Sequence, residues 1–162
     1  MRTDTTPSTP LSGAAGFRFA IVYSRFNEAI TASLRDAARG ALAEAQARDE
    51  DVEVVSVPGA FELPQAARSI AETGRIDAVI CLGCVIRGAT PHFEYIASSV
   101  AHAIQDASAE TGVPIAFGVL TTDTWEQAEE RAGSGRDNKG FEAAAAAIEM
   151  AQLFRRWHPA RS

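Results

Sequence analysis

The sequence is short of cysteine, of positive charge and of long apolar segments. Its 162 residues include two Cys, and 15 Lys and Arg stand against 21 Asp and Glu, which gives a net charge of −6. Nucleic acids and anionic membranes attract clustered Lys and Arg, so this balance argues against both as main partners. No apolar run approaches the ~18 residues that a membrane-spanning helix needs. We therefore expect a cytoplasmic protein that binds neither nucleic acid nor membrane.

The N-terminal segment differs in composition from the rest of the chain. Residues 1–16 are rich in Thr, Pro, Ser and Gly and lack the apolar core of a secretory signal. We predict a mobile arm over residues 1–16, a single domain over 17–157 and a short tail over 158–162. The arm could add a strand to the sheet edge of a neighbouring subunit. The length fits one domain with its own core.

The two cysteines, Cys81 and Cys84, form a lone C-x-x-C inside the apolar run 78–86. A zinc site would need further ligands at suitable spacing, and a thioredoxin-type pair would lie at a helix N-terminus. A zinc deaminase has its Cys pair after a His-x-Glu motif, whereas the His-x-Glu at 92–94 follows the pair here. Strand residues three apart point to opposite faces, so we predict two buried structural cysteines and no metal site.

Short apolar runs alternate with helical patterns along the chain. The runs are continuous, as in strands covered on both faces, and span Phe17–Tyr23, Val52–Val57, Ala78–Ile86 and Pro114–Leu120. The helical patterns span Glu28–Arg48, Phe61–Thr73, His92–Glu110, Thr124–Ala132 and Asn138–Trp157. This alternation predicts an α/β fold: a three-layer α/β/α sandwich around a four-stranded parallel sheet, with a flavodoxin-like strand order. The Ala-rich run 143–147 predicts a close-packed helix face.

The loops after the predicted strands carry much of the unusual chemistry. In an open α/β sheet, ligands bind beyond the carboxyl ends of the strands. The predicted strand ends, together with the residues that follow them, are the segments 24–27, 57–62, 83–92 and 118–122. Phe26 and Phe61 lie in two of them, and each aromatic ring could stack on a flat heterocycle or cover the core. The sequence alone leaves both interpretations open.

The segment from Gly88 to His92 favours an anion site. Thr90 is a good N-cap residue, and Pro91 would then take the first helical position, where its missing N–H costs nothing. Free amides and the helix dipole favour a phosphate there, although an ordinary capped helix start fits the same string. His92 is either a proton carrier beside that anion or a solvated surface residue. The glycine-rich stretch 133–140 lacks the ending of a P-loop, which argues against a nucleoside triphosphate.

Taken in order and spacing, these segments resemble the lumazine synthase family over about residues 17–155. The matching stretches are Arg25–Asn27, Val57–Glu62, Gly83–His92, Phe117–Thr122, Glu130–Gly133 and Asn138–Gly140. The resemblance implies the condensation of 5-amino-6-(D-ribitylamino)uracil with 3,4-dihydroxy-2-butanone 4-phosphate. The products would be 6,7-dimethyl-8-ribityllumazine, phosphate and water, with no metal and no organic cofactor. A catalytically silent lumazine- or flavin-binding paralogue, or a shell-forming one, is the alternative.

The resemblance also implies a role for each matching residue. Phe26 would stack on the pyrimidine, and Glu62 would bind the ribityl chain. The rest of the pyrimidine pocket would be formed by Ala60, Phe61 and backbone groups of Cys84, Val85 and Ile86. On the phosphate side, His92 would move protons, and the phosphate ligands would be Ala89, Thr90, Arg131 and, as a weaker candidate, Lys139. Phe117 and Arg131 would come from a neighbouring subunit.

One segment departs from the family pattern. Many members carry a Lys where this chain has Gly135, and Asp137 takes the place of a usual Gly. Arg136 is the candidate replacement for the missing charge. The resemblance implies a homopentamer or a 60-mer shell of twelve pentamers, with riboflavin synthase as a candidate partner. The connection 133–140 has no insertion, which favours the shell, and an Ala-rich final helix suits packing around a ring axis.

Overall fold

The computed structural model describes residues 9–159; residues 1–8 of the predicted arm and 160–162 of the predicted tail lie outside that range. Strands and helices alternate through most of the described chain. The strands are β1 (Phe19–Ser24), β2 (Val52–Val57), β3 (Ala78–Ile86) and β4 (Ile115–Thr122). The helices are α1 (Glu28–Glu44), α2 (Leu63–Ala71), α3 (His92–Thr111), α4 (Trp125–Arg131) and α5 (Lys139–Trp157).

The sheet is parallel throughout, with the strand order β2-β1-β3-β4. Side chains on one face pack with α1 and α5, and those on the other face pack with α2 and α3. The strands read as continuous apolar runs because both faces are covered. The predicted three-layer sandwich and flavodoxin-like strand order are therefore confirmed. No helix within the described range is both long and apolar enough to cross a bilayer.

The first helix ends before the residue that its sequence pattern predicts. The pattern predicts a helix to Arg48, but α1 ends at Glu44. Gln46 adopts the left-handed conformation with a φ of 74°, and the Ala47 amide donates to the Leu42 carbonyl at 2.9 Å. These features close the helix as a left-handed C-terminal cap does. The apolar period continues for a few residues beyond the point where the backbone turns.

Two other elements begin later than predicted. The segment predicted as a helix from Phe61 starts with a 3-10 turn over Ala60–Glu62, and α2 follows from Leu63. Pro64 lies in the first turn of α2, where a residue without an N–H leaves no helical hydrogen bond unmade. The first strand begins at Phe19 rather than Phe17, after a turn in which the Phe17 amide donates to the Ala14 carbonyl.

The segment just before β1 packs on the domain. The Ala14 amide donates to the Ala45 carbonyl at 3.0 Å, and the Leu11 amide donates to the Glu44 carboxylate at 2.8 Å. The Gln152 side chain of α5 donates to the carbonyls of residues 12 and 13. The packed part of the chain therefore begins ahead of Phe17, the boundary that the sequence predicts, and includes the last residues of the predicted arm.

Helices α1 and α5 cross in direct backbone contact. A Cβ at Gly140 would overlap the carbonyl oxygen of Leu34, so the crossing requires glycine at this position. Ala143, Ala144 and Ala147 are buried along α5. The predicted close-packed Ala face is confirmed. Ala143, Ala144 and Ala147 pack inside the subunit, whereas Ala146 is exposed, and packing of this helix around a ring axis stays a prediction.

We expect Gly140→Ala to destabilise the fold strongly, because the added methyl meets backbone atoms that cannot move aside without separating α1 from α5. The expected loss is about 3 kcal/mol, at the upper end for overpacking. Gly40→Ala is the matched control, since Gly40 lies within α1 and a Cβ there would meet nothing within 4 Å. Thermal unfolding at equal protein concentration should give a much lower midpoint for Gly140→Ala and an unchanged or higher one for Gly40→Ala. Equal midpoints would contradict the close crossing.

Candidate active site

Residues from the first three strand ends meet at one edge of the sheet. Because the strands are parallel, all their carboxyl ends share this edge. The segments that follow β1, β2 and β3 carry most of the residues singled out from the sequence. This arrangement agrees with the general location of ligands in open α/β sheets.

The loop after β1 is held between the other two strand ends. The Arg25 amide donates to the Val57 carbonyl at 2.8 Å, and the Phe26 amide donates to the Pro58 carbonyl at 3.0 Å. These bonds fix the backbone while the Phe26 side chain remains 71% exposed. An aromatic ring on a fixed backbone, open to solvent, is suited to stacking on a planar ligand. The reading of Phe26 as a cover for the core does not fit this exposure.

Asn27 is a structural residue of this loop that the sequence reasoning missed. It adopts the left-handed conformation, with a φ of 62°, and directly precedes α1. Its side-chain amide donates to the Cys84 carbonyl at 3.1 Å, which ties the loop after β1 to the end of β3. An Asn between a strand and a helix is a common signal for this conformation, because Asn tolerates positive φ. The sequence gives no local signal, however, for the bond from Asn27 to Cys84, which lies 57 residues away in the chain.

The turn after β2 presents a second aromatic ring. The Glu62 amide donates to the Gly59 carbonyl at 3.2 Å, which closes the 3-10 turn. Ala60 is buried beneath it, whereas Phe61 is 62% exposed and Glu62 is partly exposed. The structure thus brings Phe26 and the Ala60–Glu62 turn to neighbouring positions at the sheet edge.

The central strand β3 extends beyond its neighbour β1. The pairing of β3 with β1 ends at Leu82, whereas its pairing with β4 continues to Ile86. The backbone of residues 83–86 therefore has no strand partner on the side of β1, where the Asn27 side chain contacts the Cys84 carbonyl. Backbone amides and carbonyls left beyond the end of a ladder are available to hydrogen-bond a ligand.

The start of α3 differs from the prediction. Pro91 occupies the N-cap position and His92 is the first helical residue, so Thr90 is not the N-cap and no side chain caps the helix. The reason is the backbone of Pro91, whose φ of −71° and ψ of 5° keep it just outside the helix. The N-cap residue therefore supplies no side-chain acceptor to the first amides of α3. Residues 88–92 are all exposed.

Three further candidates belong to β4, α4 and α5. Phe117 is the third residue of the edge strand β4, where it pairs with Cys81, and is 38% exposed. The segment 118–122, expected to reach the strand end, belongs to the strand itself. Arg131 ends α4, with its guanidinium donating to the Gln127 carbonyl at 3.0 Å. Lys139 begins α5, 4.0 Å from the Glu142 carboxylate.

Arg136, the candidate replacement for the missing family Lys, is engaged with α1. Its guanidinium is 2.8 Å from the Glu44 carboxylate and lies over the Phe141 ring at 5.0 Å. Gly135 beside it has a φ of 90°, a conformation that glycine adopts without strain. Within a single subunit the Arg136 charge is therefore directed to the α1–α5 side and not to the edge that carries His92.

The two cysteines lie on opposite faces of β3, as predicted. Cys81 packs among the side chains under α2 and α3, and Cys84 packs among those under α1 and α5. Burial raises the pKa of Cys81 to about 12 and that of Cys84 to about 11. Both thiols are therefore protonated at neutral pH and are poor nucleophiles. The prediction of two buried structural cysteines is confirmed.

Comparison with known proteins agrees with this arrangement. The family model for 6,7-dimethyl-8-ribityllumazine synthase matches residues 16–155. A 6,7-dimethyl-8-ribityllumazine synthase from Syntrophus aciditrophicus (strain SB) is 57% identical over 142 residues, which cover 88% of this chain and 92% of that protein. The chain belongs to the 6,7-dimethyl-8-ribityllumazine synthase family. This membership confirms the predicted family, the place in riboflavin biosynthesis and the enzyme class, a transferase.

Among solved structures, two of a GDP-L-fucose synthetase from Naegleria fowleri are similar to the chain at a low level. The NADP-bound one has a TM-score of 0.43 and 15% identity, and the other has 0.36 and 13%. Each match covers 99% of this chain, which spans about half the length of those proteins. Likeness at this level bears on neither the fold nor the function of the lumazine synthase chain.

A cavity of the subunit lies at the opposite edge of the sheet. It has a volume of about 770 Å³ and is lined by Arg18, Asp77, Arg155 and neighbouring residues at the amino ends of the strands. The Arg155 guanidinium is 3.2 Å from the Asp77 carboxylate and over the Phe17 ring. The family motifs and the exposed aromatic rings lie instead at the carboxyl edge.

We expect Phe26→Ala to weaken binding of the pyrimidine substrate and of the lumazine product by about 1–3 kcal/mol, the range for aromatic stacking on a base. Trp157→Ala is the matched control, because Trp157 is similarly exposed but lies at the far end of α5. Titration of the product followed by its fluorescence measures both dissociation constants. An unchanged constant in folded Phe26→Ala would remove Phe26 from the site.

Proposed function

We propose that the chain condenses 5-amino-6-(D-ribitylamino)uracil with 3,4-dihydroxy-2-butanone 4-phosphate at a site formed between adjacent subunits. The observation that carries this proposal is the carboxyl edge of the sheet. There Phe26, the Ala60–Glu62 turn, the unpaired end of β3 and the uncapped start of α3 lie together. The first three features suit a pyrimidine with a polyol chain, and the fourth suits a phosphate.

His92 is the residue to which we assign proton transfer. An amine and a ketone form an imine with loss of water, phosphate then leaves by elimination, and ring closure releases a second water. Each of these steps moves a proton. Imidazole gains and loses a proton near neutral pH, which suits it to this task. The His92 side chain is exposed and makes no hydrogen bond or ion pair with another described residue. Both ring nitrogens are therefore available to a substrate.

The phosphate site that we propose combines backbone and side-chain groups. No N-cap side chain accepts from the first amides of α3, and the helix dipole favours an anion beside them. Ala89 and Thr90 precede this helix on an exposed loop, where the Thr90 hydroxyl does not cap α3. These groups bind a dianion despite the net charge of −6, because their field acts at short range.

The geometry of one subunit favours a shared site. Phe117 lies five residues before the end of β4, about 16 Å along a strand with a rise of about 3.3 Å per residue. Arg131 lies on α4, where it donates to the Gln127 carbonyl, and Lys139 lies on α5 beside Glu142. If Phe117 takes part, as family resemblance implies, its place on β4 requires that it come from a neighbour, and the same resemblance assigns Arg131 to that neighbour. We propose a closed ring in which every subunit contributes both halves.

The ring that we propose is a pentamer, either free or assembled into a 60-mer shell. The uninterrupted connection between α4 and α5 favours the shell. Riboflavin synthase as a partner and a cytoplasmic location stay predictions. Orientation of two substrates between rigid strand ends would supply much of the rate acceleration. Holding reactants in the right geometry can lower a reaction barrier by on the order of 7 kcal/mol or more.

We expect His92→Ala to slow turnover about ten- to a thousandfold, the range for loss of a general acid–base group. Binding of the pyrimidine should change little, since no part of its pocket is removed. His102→Ala is the matched control, because His102 is also exposed on α3 but lies ten residues away in the sequence. Steady-state turnover with both substrates measures the effect and separates an enzyme from a silent binding or shell-forming paralogue. Equal turnover of wild type and His92→Ala would exclude the mechanism.

We expect Arg131→Ala to weaken the phosphate-bearing substrate by roughly 2 kcal/mol, as for loss of a charge-assisted pair. When Arg131→Ala and His92→Ala subunits are co-assembled in equal amounts, about a quarter of the interfaces in a ring should be intact and active. The reason is that an intact interface takes His92 from one variant and Arg131 from the other.

The control for this experiment is co-assembly of His92→Ala with Phe26→Ala, which lie on the same half and should not restore activity. Mass measurement identifies the assembly beforehand: five copies of the 17.2 kDa chain weigh about 86 kDa and sixty weigh about 1 MDa. Absence of recovery in the first mixture, or a fully active monomer, would contradict the shared site.

A further inference from the structure

Arg87 connects three elements next to the candidate phosphate site. Its backbone amide donates to the Thr122 carbonyl at 2.8 Å, which extends the β3–β4 ladder by one residue. Its guanidinium donates to the Asp123 carboxylate at 2.8 Å and to the Glu94 carboxylate, and lies over the Phe93 ring at 4.4 Å. One side chain thus connects the ends of β3 and β4 to the first turn of α3.

The first turn of α3 is otherwise loosely held. No side chain caps it, and the preceding residues 88–91 are exposed. The first buried residue of the helix is Val100, about two turns after His92. The contacts of Arg87 with the turn therefore act where the helix is least buried, and they reach residues directly after His92.

Arg87 also balances the charge at this edge. Glu94 and Asp123 lie on either side of its guanidinium, and the hydrogen bond from Arg87 lowers the pKa of the Glu94 carboxyl. Without the Arg87 guanidinium, the negative charges of Glu94 and Asp123 beside the proposed phosphate site would not be neutralised. Each exposed ion pair of this kind contributes little to stability on its own. The planar Arg87 guanidinium nevertheless fixes a geometry, because it joins two carboxylates and stacks on the Phe93 ring at the same time.

We propose that Arg87 is a positioning residue for the condensation. It holds the turn that carries Thr90 and His92 against the ends of β3 and β4, and it neutralises the carboxylates beside the phosphate. It does so without touching either substrate. The inference rests on the proposed function, because it assigns Arg87 to the same site.

The test compares Arg87→Met with Arg68→Met. Arg68 is the matched control: it is similarly exposed, and its guanidinium also joins two carboxylates, those of Glu72 and Glu110, but at the other end of α3. We expect Arg87→Met to lower kcat about tenfold or more, because a small misplacement of a catalytic group has a large effect on rate. The KM of the pyrimidine substrate should stay within about twofold of wild type. Arg87→Lys should recover part of kcat, and Arg68→Met should resemble wild type.

Hydrogen–deuterium exchange gives a readout that does not depend on turnover. Amides of residues 88–96 should exchange faster in Arg87→Met than in wild type, and Arg68→Met should leave this segment unchanged. The proposal would be overturned if Arg87→Met had the same kcat and the same amide exchange over residues 88–96 as the wild type. A rise confined to the KM of the butanone phosphate would also overturn it, since Arg87 would then be a direct phosphate ligand. An inactive wild type would refute the proposed function, while the exchange would still test the positioning role.

Discussion

The structure depends on the pairing of the central strand β3, which forms ladders with β1 on one side and β4 on the other. Seven of its nine residues, from Ala78 to Cys84, are buried, so this strand ties both faces of the core together. Its ladder with β1 ends four residues before its ladder with β4. The protruding end is therefore half paired. On the side of β1, the backbone amides and carbonyls beyond the ladder are available to hydrogen-bond a ligand.

The loops around that end are held by few but specific contacts. Asn27 connects the loop after β1 to the Cys84 carbonyl, and Arg87 connects the start of α3 to the end of β4. Aromatic rings and the imidazole project from these fixed backbones into solvent. This combination, rigid backbone with exposed side chains, is what binding two substrates in one orientation requires.

Close packing on the other side of the sheet supports the same edge. The crossing of α1 and α5 at Gly140 brings the N-terminus of α5 against α1. The Asn138 side chain, which accepts from the Gly140 amide at 2.7 Å, starts α5 at this point. The connection from α4 is thereby fixed at its end, and Arg136 is drawn towards Glu44.

The sequence by itself determined the layers, the opposite orientation of Cys81 and Cys84, and the loops that carry Phe26 and His92. These features follow from local periodicity, from the two-residue repeat of a strand and from the order of motifs along the chain. Only the tertiary structure decided the cap of α3, the bond from Asn27 to Cys84, the position of Phe117 in the middle of β4, and the direction of Arg136. Each of these depends on strand register or on a partner far away in the chain. Such pairings form only when the whole sheet assembles, so no local sequence pattern predicts them.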